Sequence, residues 1–215
     1  MPHNNFDLFD NEQPTTETRT VEPELSILGG SRVANDVARG RKYLSRDEVM
    51  ALVKAAKKNR HGSRDSLMVR LAYEHGLRVS ELVNTRWQHL DLSGHAFSVS
   101  RAKGSVDSTH PLQGDTVRAI KKFQRELSQS SGLMFTNERG APVSVDGFRR
   151  MFGRLSEKAL GMVWNPHALR HACGVHLVNS GTGIRQIQQY MGHSNIQNTV
   201  VYTQLSAAAF DHIKM

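Results

Sequence analysis

A chain of 215 residues can bury one substantial core and little more, and its single cysteine, Cys173, excludes an intrachain disulfide scaffold. No apolar run approaches the length of a bilayer span, and the opening MPHNNFDLFD lacks the basic start and apolar stretch of a secretory leader, so a cytoplasmic chain with no membrane partner is expected. The formal charge of +8 favours a polyanionic partner.

That charge is uneven. Residues 1–24 carry six acids against Arg19 alone, a net of −5, so the remainder must carry +13 to reach the total. The acidic head has few large apolar residues and is expected to be a disordered tail over 1–40, ahead of a single domain over 41–215. Ser45-Arg46-Asp47-Glu48 is a capping box. The helix it opens sets Val49, Leu52, Val53 and Ala56 on one face. A second helix is expected over 64–75, stopped by Gly76, and a short one over 79–84. The pattern then becomes extended. Strands are expected at 87–92, 96–101 and 108–112, joined by turns at Ser93-Gly94 and Lys103-Gly104. Helical spacing returns over 115–129, 145–160, from Pro166 to about 179, over 184–191, and from about Thr199. The fold class is therefore mainly α with a small antiparallel β-sheet.

The chemistry concentrates in 165–203. This stretch holds His167, Arg170, His171, His176, Arg185, His193 and Tyr202, and no carboxylate lies between Glu157 and Asp211. Two-metal phosphoryl-transfer sites need Asp and Glu to hold their ions. A site of arginines, histidines and a tyrosine must instead stabilise phosphate charge with its own cations and bring its own nucleophile. On a helix, His167, Arg170 and His171 stand at i, i+3 and i+4 and share a face. An arginine fork grips phosphate oxygens in two places, and an imidazole trades protons near neutral pH. A solvated basic face with a structural histidine would give the same spacing. A zinc site of His167, His171, Cys173 and His176 is the rival reading, with ligand spacing at i and i+4 but no acid between the histidines.

Further along, Gly192-His193-Ser194-Asn195 precedes Thr199-Val200-Val201-Tyr202-Thr203, so a turn brings His193 close to the segment ending in Tyr202. A phenol with an ordinary pKa near 10 attacks phosphorus only if cations stabilise its anion or a base removes its proton. Upstream, Gly76-Leu77-Arg78-Val79-Ser80-Glu81-Leu82 places Arg78 just after a glycine turn, with Glu81 able to orient it. Lys103 sits in the turn Arg101-Ala102-Lys103-Gly104.

In this order, the four elements resemble the tyrosine recombinases, or phage integrases. GLRVSEL resembles the family's first arginine box, RAKG its β-turn lysine, PHALRHACG its His-x-x-Arg box, and MGHSNIQNTVVYT its Gly-His box followed by the nucleophilic tyrosine. The resemblance implies that Tyr202 forms a 3′-phosphotyrosyl link to double-stranded DNA. It also implies that Arg78 and Arg170 clamp the non-bridging oxygens, His167 assists proton transfer, His193 hydrogen-bonds the phosphate and Lys103 protonates the leaving 5′-hydroxyl. Glu81 and His171 would support them, with no metal or cofactor. The short tail resembles the small single-domain invertases that switch fimbrial genes. Family members act as tetramers on DNA that exchange C-terminal helices, which implicates Ala207, Ala208, Ala209, Phe210 and Ile213, and DNA-bending accessory proteins are further partners. A type IB topoisomerase and a catalytically silent DNA-binding regulator are the alternatives.

Overall fold

The computed structural model describes residues 41–101, 106–127 and 132–205. Lys103 and the apolar segment after Leu205 therefore lie outside the described residues, as does the tail.

Helix α1 (Arg46–Ala56) begins at the expected capping box: the Glu48 amide donates to Ser45 Oγ at 3.2 Å, and the Ser45 amide donates to Glu48 Oε2 at 2.7 Å. Its buried face is Val49, Leu52, Val53 and Ala56. It packs on α2 (Gly62–Glu74), which buries Leu67, Val69, Leu71 and Ala72. At Gly76 the backbone is left-handed, with φ +57°, and an added Cβ would lie 2.6 Å from Met191 Sδ. Only glycine fits both constraints, and this turn launches α3 (Val79–Val83).

The expected strand at 87–92 is different. Trp87–His89 forms one 3-10 turn and only Leu90–Asp91 pairs, as β1. The turn prevails because the Trp87 ring packs on Phe123, with centroids 6.2 Å apart, while the Arg86 amide meets His89 Nδ1 at 3.3 Å. Strands β2 (Ala96–Val99) and β3 (Ser108–Pro111) complete an antiparallel sheet of order β1-β2-β3, with Phe97 opposite His110 and Val99 opposite Ser108. Phe97, Val99 and His110 face the core and Ser98 faces out, the period of two that a half-buried strand requires.

Helix α4 (Gly114–Glu126) buries Val117, Ile120 and Phe123, and α5 (Val145–Leu160) buries Phe148, Phe152 and Leu155. Helix α6 (His167–Asn179) follows Pro166 and touches α1, α2, α7 (Ile184–Met191) and α8 (Gln197–Leu205). Ala168, Leu169, Ala172 and Val175 anchor it in the core. Helix α8 starts two residues before the expected Thr199 because Asn195 Oδ1 accepts from the Gln197 amide at 2.9 Å. Among the described residues, no helix is long and apolar enough to cross a membrane.

Candidate active site

Four elements converge beside α6. The Gly76 turn and the start of α3 supply Arg78 and Glu81, the start of α6 supplies His167, Arg170 and His171, the turn after α7 supplies His193, and α8 supplies Tyr202.

Arg170 is 1% exposed. Its guanidinium donates to the Gly76 carbonyl and, at 2.6 Å, to the Met191 carbonyl. Burial is the main reason its pKa drops to about 10, with Arg78 adding to the fall. It stays charged at neutral pH. A buried arginine held by two carbonyls has lost its hydration shell without gaining a full counter-charge, so its attraction for an incoming anion is strong. Arg78 lies nearer solvent. Its Nη1 donates to Glu81 Oε1 at 2.7 Å, and its backbone amide donates to Glu81 Oε2 at 2.8 Å. Glu81 is buried and fixes this arginine, as its spacing in the sequence suggests.

Tyr202 is 2% exposed. Burial raises its phenol, whereas the charge of Arg170 lowers it. Its ring lies between two imidazoles. His193 is stacked at 6.0 Å and 21°, and His171 meets it edge-on at 5.7 Å. The seat exists because residue 174 is glycine: a Cβ there would come within 2.6 to 2.7 Å of the Tyr202 ring carbons Cδ2, Cε2 and Cδ1. His193 Nδ1 lies 3.0 Å from Thr199 Oγ1, which holds the imidazole across the turn. Burial, then Arg170, pushes its pKa down to about 4. His171 is also near 4, by burial and then His167. His167 is lowered by burial and then by Arg170, although it stands exposed at the mouth with its ring edge-on to His171 at 4.6 Å. Neutral imidazoles beside charged arginines can accept or donate protons, and none of the three competes with the arginines as a fixed cation.

Of the expected residues, the fold thus gathers Arg78, His167, Arg170, His193 and Tyr202, with Glu81 and His171 beside them. Arg185 is exposed and bonds Gln188, away from this group. The zinc alternative is not assembled. Cys173 turns its thiol to the Glu74 carbonyl at 3.7 Å, and His176 packs its ring near Tyr73. Among the described residues, no three histidines, cysteines or acids could hold a metal ion together.

The phage integrase family model matches residues 42–209, more than three quarters of the chain. The chain belongs to the phage integrase family, the tyrosine recombinases. The type 1 fimbriae regulatory protein FimE of Escherichia coli strain K12 is 37% identical over 177 residues, which are 79% of this chain and 89% of FimE. FimB of the same strain is 34% identical over 175 residues, 79% of this chain and 88% of FimB. Among solved structures, the XerA recombinase superposes with a TM-score of 0.69 at 28% identity, covering 79% of this recombinase and 62% of XerA. The chain thus spans less than two thirds of that structure's length.

Two parts of this recombinase's site escaped the sequence reading. Gly174, inside a helix where glycine costs about 1 kcal/mol relative to alanine, signals a packing reason. Arg101 continues the inward register of Phe97 and Val99 and is buried with them. An arginine at an inward strand position was the available signal.

Proposed function

We propose that this protein is a site-specific DNA recombinase that cuts and rejoins double-stranded DNA through a covalent phosphotyrosine at Tyr202, with DNA inversion or integration and excision as its outcome. One observation carries the reading. The Tyr202 ring sits between His171 and His193, with its phenol under the charge of the buried Arg170.

The chemistry follows from the charges. A phosphodiester enters with one negative charge, and its pentacoordinate transition state gains more. Arg170 from the floor and Arg78 from the rim hold the non-bridging oxygens and strengthen their grip as that charge grows, which is the differential binding catalysis requires. The Tyr202 oxygen forms the new bond to phosphorus and the bond to the 5′-oxygen breaks. Burial alone would keep the phenol protonated, so the step needs Arg170 to stabilise phenolate and neutral His167 to take the proton. If the Thr199 hydroxyl donates to Nδ1 of His193, the other ring nitrogen keeps its proton and donates to the phosphate. Lys103 protonates the leaving 5′-oxygen. The phosphotyrosyl bond conserves the ester, so a second strand's 5′-hydroxyl can reverse the step and rejoin DNA without ATP.

The catalytic domain is residues 41–215, preceded by a tail over 1–40, and it works in the cytoplasm on nucleoid DNA. Tetramers form on DNA through the C-terminal segment, with DNA-bending proteins as accessory partners. The similarity to FimE and FimB supports inversion as the arrangement.

The test uses genomic DNA of the source organism, incubated with the protein, denatured, and examined for protein-linked fragments that are then sequenced. Wild-type protein yields an adduct at Tyr202, Tyr202→Phe yields none, and the mutant still retains DNA with an affinity that falls steeply with salt. An adduct from Tyr202→Phe would move the nucleophile elsewhere.

A further inference from the structure

Arg101 has no role in the scheme above, yet its side chain is fully buried at 0% exposure. A buried guanidinium is costly unless its donors are met; here both Nη groups are met at the base of the pocket, while Nε is buried without a partner among the described residues. Nη1 donates to Glu81 Oε2 at 3.0 Å and approaches the Gly76 carbonyl at 3.4 Å. Nη2 donates to the carbonyls of His75, at 3.2 Å, and Tyr190. The alkyl stem lies under the turn that carries His193, where a Cβ on Gly192 would come within 2.9 Å of Arg101 Cγ.

These contacts matter because Arg170 and Arg101 face the same two acceptors. Arg170 Nη1 bonds the Gly76 carbonyl and stands 4.0 Å from Glu81 Oε2, outside hydrogen-bond distance. Arg101 occupies that carboxylate oxygen. The two oxygens of Glu81 are thereby divided: Oε1 takes Arg78 Nη1, and Oε2 takes Arg101 and the Arg78 amide. One carboxylate shared by three arginines leaves the pocket a net positive charge. If Arg101 were absent, its share of that carboxylate would be open to Arg170, in a buried setting where a less compensated charge pulls hard on any neighbouring cation.

We propose that Arg101 is a positioning residue for the phosphate clamp: its buried guanidinium holds Glu81 from behind and keeps Arg170 turned to Tyr202 and the phosphate instead of to Glu81. The inference rests on the reading of Arg78 and Arg170 as that clamp. Arg101 touches no substrate, so its removal acts on the chemical step and not on DNA affinity.

The experiment measures adduct formation on a duplex carrying the site recovered by the sequencing above, together with DNA affinity and thermal melting. Arg101→Met lowers the adduct rate by about 10²-fold, as expected when a catalytic group is misplaced by about an ångström, with DNA affinity unchanged. Arg101→Lys keeps a cation against Glu81 and loses less. The distinguishing variant is Arg101→Met with Glu81→Gln, which removes the carboxylate that would capture Arg170. It recovers the rate by about tenfold over Arg101→Met, within the usual coupling of contacting residues. A purely structural arginine predicts no such recovery. If the folded double variant is no faster than Arg101→Met, or if Arg101→Met cleaves as fast as wild type, the clamp role of Arg101 is overturned alone. If Arg101→Met does not fold, Arg101→Lys with and without Glu81→Gln decides the question by the same comparison. If wild-type protein forms no adduct at Tyr202, the functional reading falls and takes this role with it.

Discussion

Two imidazole–tyrosine clusters of the recombinase are linked through Arg101, and they do opposite things with the same residue types. In the pocket, His193 stacks on Tyr202 at 6.0 Å, Arg170 charges the floor, and His167 and Arg78 reach solvent. Behind it, His110 stacks on Tyr190 at 3.7 Å, and His75 Nδ1 meets His110 Nδ1 at 3.2 Å. The Ser108 hydroxyl lies 2.8 Å from His110 Nε2, and the Tyr190 hydroxyl donates to the Glu74 carbonyl at 2.8 Å. His75 and His110 are each 1% exposed. Burial drives His110 down to about 3 and His75 well below its usual value, and it pushes the Tyr190 phenol far up. The hydrogen bond they share needs one ring nitrogen as donor and one unprotonated nitrogen as acceptor, and burial favours the neutral form of both rings. The rear cluster is thus a sealed polar joint between β3, α2 and α7. The difference between the two clusters is the side facing solvent and the arginine presented to it.

The largest effects should come from breaking the pocket's charge. Arg170→Ala and Arg78→Ala should each lower the adduct rate by roughly 10²- to 10³-fold, the usual result of deleting one donor to a developing oxyanion. Their stability effects should differ. Arg170→Ala strands the Met191 carbonyl in the core and leaves the Gly76 carbonyl only the 3.4 Å approach of Arg101, whereas Arg78 is a third exposed on its side chain. Equal losses of melting temperature would contradict the floor-and-rim arrangement.

Gly174→Ala should come next. A Cβ at 2.6 Å from the Tyr202 ring cannot be accommodated without moving α8 or the ring. A shift of about an ångström at the nucleophile is expected to reduce adduct formation by about 10²-fold, while overpacking costs about 1–3 kcal/mol of stability. Normal cleavage by Gly174→Ala would show that the reacting tyrosine does not occupy this seat.

Most of the helices were legible because their apolar spacing and caps agree, as in α1, where Ser45 and Glu48 close a capping box, and α5, whose limits fall at the expected residues. The grouping of Arg78, His167, Arg170, His193 and Tyr202 was legible because these residues lie in three short motifs, while the fourth motif's Lys103 lies outside the described residues. What was hidden depends on distance in three dimensions. Nothing in the spacing of His75, His110 and Tyr190 says that they meet, since a sheet edge and two helices bring them together. Trp87 reads as a strand residue, and only the Phe123 ring across the core turns it into a helical turn.

The pH dependence of stability should be smaller in size and is set by both clusters. His110, His193 and His171 have folded pKa values near 3, 4 and 4, and His75 is also depressed. Between those values and the ordinary 6.5, the unfolded chain binds protons that the folded chain refuses, so stability is present above about 6.5 and is lost as pH falls toward 4. For the buried pair His75 and His110, the slope is at most about 1.4 kcal/mol per pH unit for each imidazole. Glu74, raised by burial, works in the opposite direction as it titrates. Melting at a series of pH values checks this. A melting temperature flat from about 6.5 to about 4 would mean that the rear histidines are not sealed.

The smallest effect provides the sharpest contrast. Tyr190→Phe removes one hydroxyl that donates to the Glu74 carbonyl and lies 3.5 Å from His75 Nδ1. A buried hydrogen bond of this kind is worth about 1 kcal/mol net. Its loss should lower the melting temperature slightly and leave adduct formation unchanged, because the Arg101 contact is to the Tyr190 backbone carbonyl, which phenylalanine keeps. Tyr202→Phe should do the reverse: the melting temperature holds and the adduct disappears. The two variants delete the same atom from tyrosines that both stack on a histidine at 21°. If Tyr190→Phe slowed cleavage as much as Tyr202→Phe, the rear cluster would belong to the reaction path, and the division of labour between the two pairs would collapse.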